Sequence, residues 1–268
     1  MTEADATAEI EIEFSGVTKR FAVKGRAEPA PAVENLSFGV RRGEVVSIIG
    51  PSGCGKSTLL NMGSGLYLPS TGEVRVGGRI VLGPQRQVAF MLQKDLLMPW
   101  RTIRRNIEIG LEIDGATRDA RRQVAEHWLA RCHLAGFGDH YPYQLSGGMR
   151  QRAALARTLA VDPAVVLLDE PFSALDAMTK MVLQQELART LHEEKKTALF
   201  ITHDLVEAIA LADRVLVMSD RPGRIIDEIR IDLPLRERPL ERRTLAGVGP
   251  LVGLLMERLK VGSQAVLH

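Results

Sequence analysis

The sequence has only two cysteines in 268 residues, and its net charge is only +2. No apolar run approaches the ~18 residues that cross a bilayer. Each scarcity removes a class of protein. Cys54 and Cys132 stand far apart and outside any metal-ligand spacing, so no disulfide framework is required, and the pattern suits a reducing compartment. Without a spanning segment, a protein of this kind that works at a membrane must be held there by another chain. The opening "MTEADATAEIEI" has neither a basic n-region nor an apolar h-region, so no signal peptide is expected. The small charge gives no argument for an anionic membrane surface, and no nucleic-acid partner is expected. What is present is an ordinary globular composition, 45% apolar, in a length that suits one large domain or a domain with a subdomain.

Short apolar runs mark strands at Ile10–Phe14, Val45–Ile49, Glu73–Val76, Val88–Leu92, Val165–Asp169, Ala198–Thr202 and Arg214–Met218, with a hairpin or edge strand in Gly223–Leu233. "VVSII", "VVLLD" and "ALFIT" are apolar without alternation, which marks strands covered on both faces in a parallel sheet. Helical spacing fits Lys56–Asn61, Thr102–Glu112, Arg118–Cys132, Ser146–Ala160, Ala177–Glu193 and Asp204–Leu211, with one further helix at Leu251–Leu259. The alternation predicts an α/β fold. Strand signals vanish between Gln93 and Leu145, which predicts a helical subdomain inserted into the α/β body over about 94–160. Residues 1–8 read as a loose tail and Lys24–Pro31 as a loop. The main domain is expected over 1–233, followed by a short tail over 234–268.

"GPSGCGKST" at Gly50–Thr58 matches G-x-x-x-x-G-K-[ST] in full, between a buried strand and a helix. Such a loop curls so that successive amides face one anion, and the helix start adds its positive end. Gly50, Pro51, Ser52, Gly53, Cys54, Gly55, Lys56, Ser57 and Thr58 are therefore the expected nucleotide cradle. Lys56 is expected at the β- and γ-phosphates and Ser57 on Mg²⁺. Cys54 reads as a small residue that fits the loop, and alkylating it is expected to block nucleotide binding. Gly63 and Gly65 weaken the next helix by roughly 1 kcal/mol each, so it is expected to be short.

Ligands of an open parallel sheet sit outside the carboxyl ends of its strands. Two strands there end in "DE" and "THD". Adjacent strand residues point opposite ways, so Asp169 and Glu170 can serve two tasks: Asp169 holding the metal, Glu170 orienting or deprotonating an attacking water. His203 and Gln93 close two neighbouring strands and are expected at the same crevice, Gln93 on the metal or the water. A second cradle, Ser146, Gly147 and Gly148, precedes a helix, with Ser146 as its N-cap.

The order of these parts, P-loop, "MLQ", "LSGGM", "VVLLDEP", "SALD" and "ITHD", resembles the nucleotide-binding subunit of ATP-binding cassette (ABC) transporters, over nearly the whole chain to about Leu233. The resemblance implies a P-loop NTPase core with a mostly parallel sheet, an antiparallel β subdomain near the N-terminus and the inserted helical subdomain. It implies ATP and Mg²⁺ as ligands and ATP hydrolysis as the activity. Gln93 then falls in the Q-loop, Leu145–Met149 in the signature, Ser173–Asp176 in the D-loop, and His203 is the switch histidine. Phe21 matches the aromatic that stacks on adenine. The second cradle would serve the ATP of a second copy packed head to tail, and Asp176 would cross that interface. Met149 stands where the usual signature has Gln, and Phe21 where Tyr is common.

"LLMPWRT" and the helix after it resemble bacterial importers for nitrate, sulfonates, taurine and related small molecules. The expected partners are a separate permease, reached through Leu96–Trp100, and indirectly an extracytoplasmic solute-binding protein. The expected location is the cytoplasmic face of the membrane, peripherally. An exporter motor would share every ATP-site residue. A soluble ABC ATPase acting on nucleic acid or the ribosome would carry coiled-coil insertions, zinc-spaced cysteines or two cassettes, none of which stands in the sequence.

Overall fold

The computed structural model describes residues 9–22 and 29–264, the side chains of 261–264 excepted. The tail expected at 1–8 and most of the loop expected at Lys24–Pro31 lie outside the described residues. In chain order the first elements are β1 (Ile10–Phe21), β2 (Ala30–Arg41), β3 (Val45–Ile49), α1 (Lys56–Gly63), β4 (Thr71–Val76), β5 (Arg79–Ile80) and β6 (Val88–Met91). Then come α2 (Ile103–Ile107), α3 (Ile109–Ile113), α4 (Arg118–Arg131), α5 (Gly147–Leu159), β7 (Val165–Asp169), α6 (Ala177–Glu193) and β8 (Thr197–Ile201). The chain ends with α7 (Leu205–Leu211), β9 (Arg214–Met218), β10 (Ile225–Arg230), α8 (Pro239–Arg242) and α9 (Val248–Gln264).

Six strands form one sheet in the order β10-β9-β3-β8-β7-β6. Every pairing is parallel except β10 on β9. The three non-alternating runs lie at its centre as β3, β7 and β8, buried throughout. Their side chains divide by parity, as a pleated strand requires. Val166 and Leu168 join the core under α5 and α6, while Val165 and Leu167 join the core shared with α1 and the second sheet. That second sheet is antiparallel, in the order β2-β1-β4-β5. The helices α2 to α5 all fall between β6 and β7, where the strand signal fades. The expected architecture is therefore present.

Three local expectations change. Ala30 and Pro31, read as loop, belong to β2, a twelve-residue strand that the sequence did not announce. Its alternation is interrupted where the register against β1 shifts and Asn35 takes a positive φ of 49°, so Leu36, Phe38 and Val40 look like an isolated fragment. The helix expected at Thr102–Glu112 breaks at Glu108 into α2 and α3, beside Gly110, which lies against Val161 so closely that a Cβ would meet Val161 Cγ1 at 2.2 Å. The C-terminal helix is seventeen residues long rather than nine, and its apolar face packs with α7 and β9 in a third core.

Candidate active site

The Gly50–Thr58 loop joins the end of β3 to the start of α1. Gly53 and Gly55 adopt φ of +80° and +107°, and a Cβ on Gly55 would meet Val33 Cγ1 at 2.5 Å and the Ala32 carbonyl oxygen at 2.9 Å. Glycine is required there on both counts. Lys56 Nζ donates to the carbonyls of Gly50 (2.8 Å) and Pro51 (2.7 Å), so the loop curls around its ammonium. Helix α1 ends at Gly63, as short as expected.

The loop forms one wall of a cleft of about 330 Å³, lined by Ser52, Gly53, Gly55, Lys56, Ser57, Thr58, Gln93, Asp169, Glu170 and Ile201. Asp169 is buried, and that burial raises its carboxyl above the ordinary carboxylate value; Glu170 pushes the same way, the Ser57 hydroxyl and the Lys56 ammonium the other. Glu170 does not face away from Asp169, as strand alternation predicts. It leaves β7 in a left-handed conformation, φ +48°, fixed by its N–H on the Ile201 carbonyl (3.1 Å) and by the Ser173 hydroxyl on its own carbonyl (3.0 Å). A non-glycine residue held there costs on the order of 1–3 kcal/mol, and the strain turns both carboxylates into one cleft. Glu170 Oε2 accepts from Gln93 Nε2 at 3.2 Å and stands 3.6 Å from His203 Nδ1.

Nine predicted residues thus line one cleft, with His203 at its edge. Gly50 and Pro51 support it from below. Cys54 does not open into it: the side chain is fully buried in the core, and burial raises its thiol above the usual value. A buried, protonated thiol reacts poorly, so alkylation of Cys54, expected to block nucleotide binding, should be slow in the folded protein. Phe21 lies outside the cleft, half-buried, packed edge-on against Tyr67 with ring centroids 5.6 Å apart and Lys19 Nζ over both rings. Tyr67 and Lys19 carry no motif; Lys19 lies two residues before Phe21 on β1, and bonds from Ser70 to Thr18 and from Lys19 to the Leu68 carbonyl bring Tyr67 to Phe21.

Ser146, Gly147 and Asp176 are exposed and Gly148 is partly so. Ser146 Oγ caps α5 through the Met149 N–H (3.2 Å), and Asp176 caps α6 through the Thr179 N–H (3.0 Å); the Thr179 hydroxyl, and after it that N–H, hold the Asp176 carboxyl below its ordinary value. The two caps form one surface: a Cβ on Gly148 would touch Leu175 Cδ2 at 3.3 Å, and Gln151, buried on α5, donates to the Pro171 carbonyl (3.2 Å). The same helix reaches back to the Gln93 loop. Arg150 Nε pairs with Asp95 (3.0 Å), and Arg157 donates to the carbonyls of Asp95 and Leu96. Those arginines were missed because no spacing marks them.

Loop, helix start, hard oxygen donors and a carboxylate beside an imidazole are what phosphoryl transfer to water requires. Ser57 and Asp169, a hydroxyl and a buried carboxylate lining one cleft, fit a magnesium ion. Fold and cleft together define a P-loop nucleoside-triphosphatase. The model of the family described as ABC transporter matches residues 33–173. Similar proteins include an uncharacterized ABC transporter ATP-binding protein of Methanocaldococcus jannaschii, 44% identical, covering 88% of this chain and 86% of its own length. The taurine import ATP-binding protein TauB of Yersinia pestis is 42% identical over 77% of this chain and 81% of its own. Among solved structures, a dimeric post-hydrolysis state of an ATP-binding cassette bound to ADP and Pi superposes with a TM-score of 0.76 at 32% identity, covering 82% of this chain and 98% of that one. The chain belongs to the ABC transporter family and is an ATP-binding cassette that hydrolyses ATP.

Proposed function

We propose that the chain is the motor of an importer: two copies close around two ATP molecules, and hydrolysis lets them reopen. The observation that carries this reading is the unequal setting of the two phosphate cradles. The Lys56 cradle opens into its own chain's cleft, beside Asp169 and Glu170, whereas Ser146–Gly148 lies on an exposed surface with Asp176. An exposed helix start with two glycines suits an anion presented by another molecule. A second copy in a two-fold, head-to-tail arrangement presents one.

In this reading Lys56 and the Gly50–Thr58 loop hold the triphosphate, and Phe21 stacks on the adenine. Ser57, Asp169 and Gln93 hold Mg²⁺, which would neutralise charge developing on the phosphates. Glu170 orients and deprotonates the attacking water, and His203, sharing Glu170 Oε2 with Gln93, fixes that carboxylate. The cassette spans 1–233 with its helical subdomain at about 94–160, followed by the tail at 234–268, whose described helix α9 packs on α7 and β9. Hydrolysis should fall 10²–10⁴-fold in Glu170→Gln while ATP binding persists; turnover near the wild-type rate would remove Glu170 from this role.

Likeness to the taurine import protein supports an importer of a small sulfonate or related solute, and no described helix is long and apolar enough to cross a membrane. A separate permease then holds the motor at the cytoplasmic face, with a solute-binding protein on the far side. Within Leu96–Trp100, Leu97 is core and Trp100 is 73% exposed. The buried Asn106 side chain ties this loop through Met98, Arg101 and Thr102, so Trp100 stands out on a fixed scaffold. Beside it lies an open groove of about 910 Å³, lined by arginines of α2 and α4. Co-expression with a multi-span membrane protein should retain the motor at the membrane. Trp100→Glu should release it and leave ATP turnover in solution intact; retention of that variant would move the contact elsewhere.

A further inference from the structure

One lysine joins the two segments that this dimer would use for different sites. Lys180 stands one turn into α6, its N–H bonded to the carbonyl of Asp176, the cap of that helix (2.8 Å). Its side chain crosses to the start of α7, where Nζ lies 2.8 Å from Asp204 Oδ2 and 2.8 Å from Glu207 Oε2. Asp204 follows His203 directly and caps α7 through the Glu207 N–H (3.0 Å). Glu207 is 2% exposed, and its carboxylate also accepts from Gln184 Nε2 (2.9 Å), itself fully buried. Arg243 closes the far side by donating to Gln184 Oε1 at 2.5 Å.

The charge balance of this cluster is tight. Two carboxylates share one ammonium, and Lys180 is the one cation seen in contact with Glu207 among the described residues. A buried carboxylate that loses its counter-ion is strongly unfavourable and must move, take a proton or admit water. The start of α7 would move with it, carrying His203. The other end of the bridge is anchored beside Asp176.

We propose that Lys180 is a positioning residue that fixes His203 of one ATP site relative to the Asp176 segment, which serves the other. The two sites of the closed dimer are thereby coupled. The inference rests on the dimer reading above. The bridge transmits position only: a displacement of Asp176 at the interface pulls α6, and through Lys180 the cap of α7.

The test is ATP turnover of the full chain against ATP concentration, with ATP binding measured in the absence of magnesium. Wild type should be sigmoidal, with a Hill coefficient approaching about 2, the number of coupled sites. Lys180→Met should bring the coefficient to about 1. It should also lower kcat by about ten- to a hundredfold, as misplaced reacting groups do, with magnesium-free binding unchanged. Lys180→Arg should restore both. A purely structural lysine would lower the melting temperature and leave the Hill coefficient at the wild-type value, and that result overturns the inference alone. A hyperbolic wild-type curve overturns the inference alone; the dimer reading falls instead if the Glu170→Gln protein keeps a single-chain mass with ATP and magnesium. If Lys180→Met does not fold, Asp204→Asn keeps the cap oxygen and removes the charge. It should show the same loss of cooperativity, and an unchanged coefficient there is again contrary.

Discussion

The two glycine-rich helix starts have nearly the same ingredients: small residues, a hydroxyl and the start of a helix. Their surroundings differ completely. Gly50–Thr58 is enclosed by its own chain, with Gly55 pressed on β2, Lys56 bound to its own loop, and the carboxylates of β7 opposite. Ser146–Gly148 stands at the surface, where Gly148 lies against Leu175 and the Ala174 carbonyl. The comparison teaches that helix-start chemistry alone does not make a site. One segment has walls and two carboxylates opposite it; the other has a cap and an open face.

The comparison breaks most sharply at its two ends. Lys56→Ala and Ser146→Arg should each abolish turnover, the first with loss of ATP binding, the second with binding kept and dimerisation lost. Mixed together, the two variants can form one intact composite site per mixed dimer, so turnover should return in part. No recovery on mixing would mean that the two cradles do not meet across chains. Gly55→Ala comes next. Its methyl would collide with Val33 and the Ala32 carbonyl at a φ that L residues avoid, and ATP affinity should fall at least about tenfold, as loss of a preorganised cradle implies. Calorimetric titration reads that loss directly.

A smaller effect has the opposite sign for stability. Asp169 has its folded pKa raised above the unfolded value near 3.8, chiefly by burial. The folded state therefore holds that proton more tightly, ionisation at neutral pH costs stability, and the cost disappears as pH falls through the raised pKa. Asp169→Asn should end turnover yet raise the melting temperature at pH 7, since it removes the buried charge. The gain should shrink toward pH 4. The smallest effect concerns Cys54. Thiol reagents should modify it slowly in the native protein and rapidly only in denaturant, and fast native labelling would contradict its burial.

Much of this is legible in the sequence because the cleft residues sit where a buried strand stops. A short apolar run followed by a polar residue points to the carboxyl end of a strand, which is how Gln93, Asp169, Glu170 and His203 could be placed together. Other features were not legible because they depend on contacts between distant segments. The left-handed turn at Glu170 follows from its N–H finding Ile201 on the neighbouring strand. Tyr67 reaches Phe21 only through the pairing of two strands. The bulge at Asn35 hid β2 by breaking its period. The side of Cys54 within its loop is set by packing against the core, which no spacing records.

The most direct measurement is the mass in solution of the Glu170→Gln protein with ATP and magnesium, by light scattering coupled to size exclusion. Twice the mass of the chain, returning to the single mass when Ser146→Arg is added, is the predicted result. A single-chain mass at saturating ATP, with the permease present as well as absent, would contradict it.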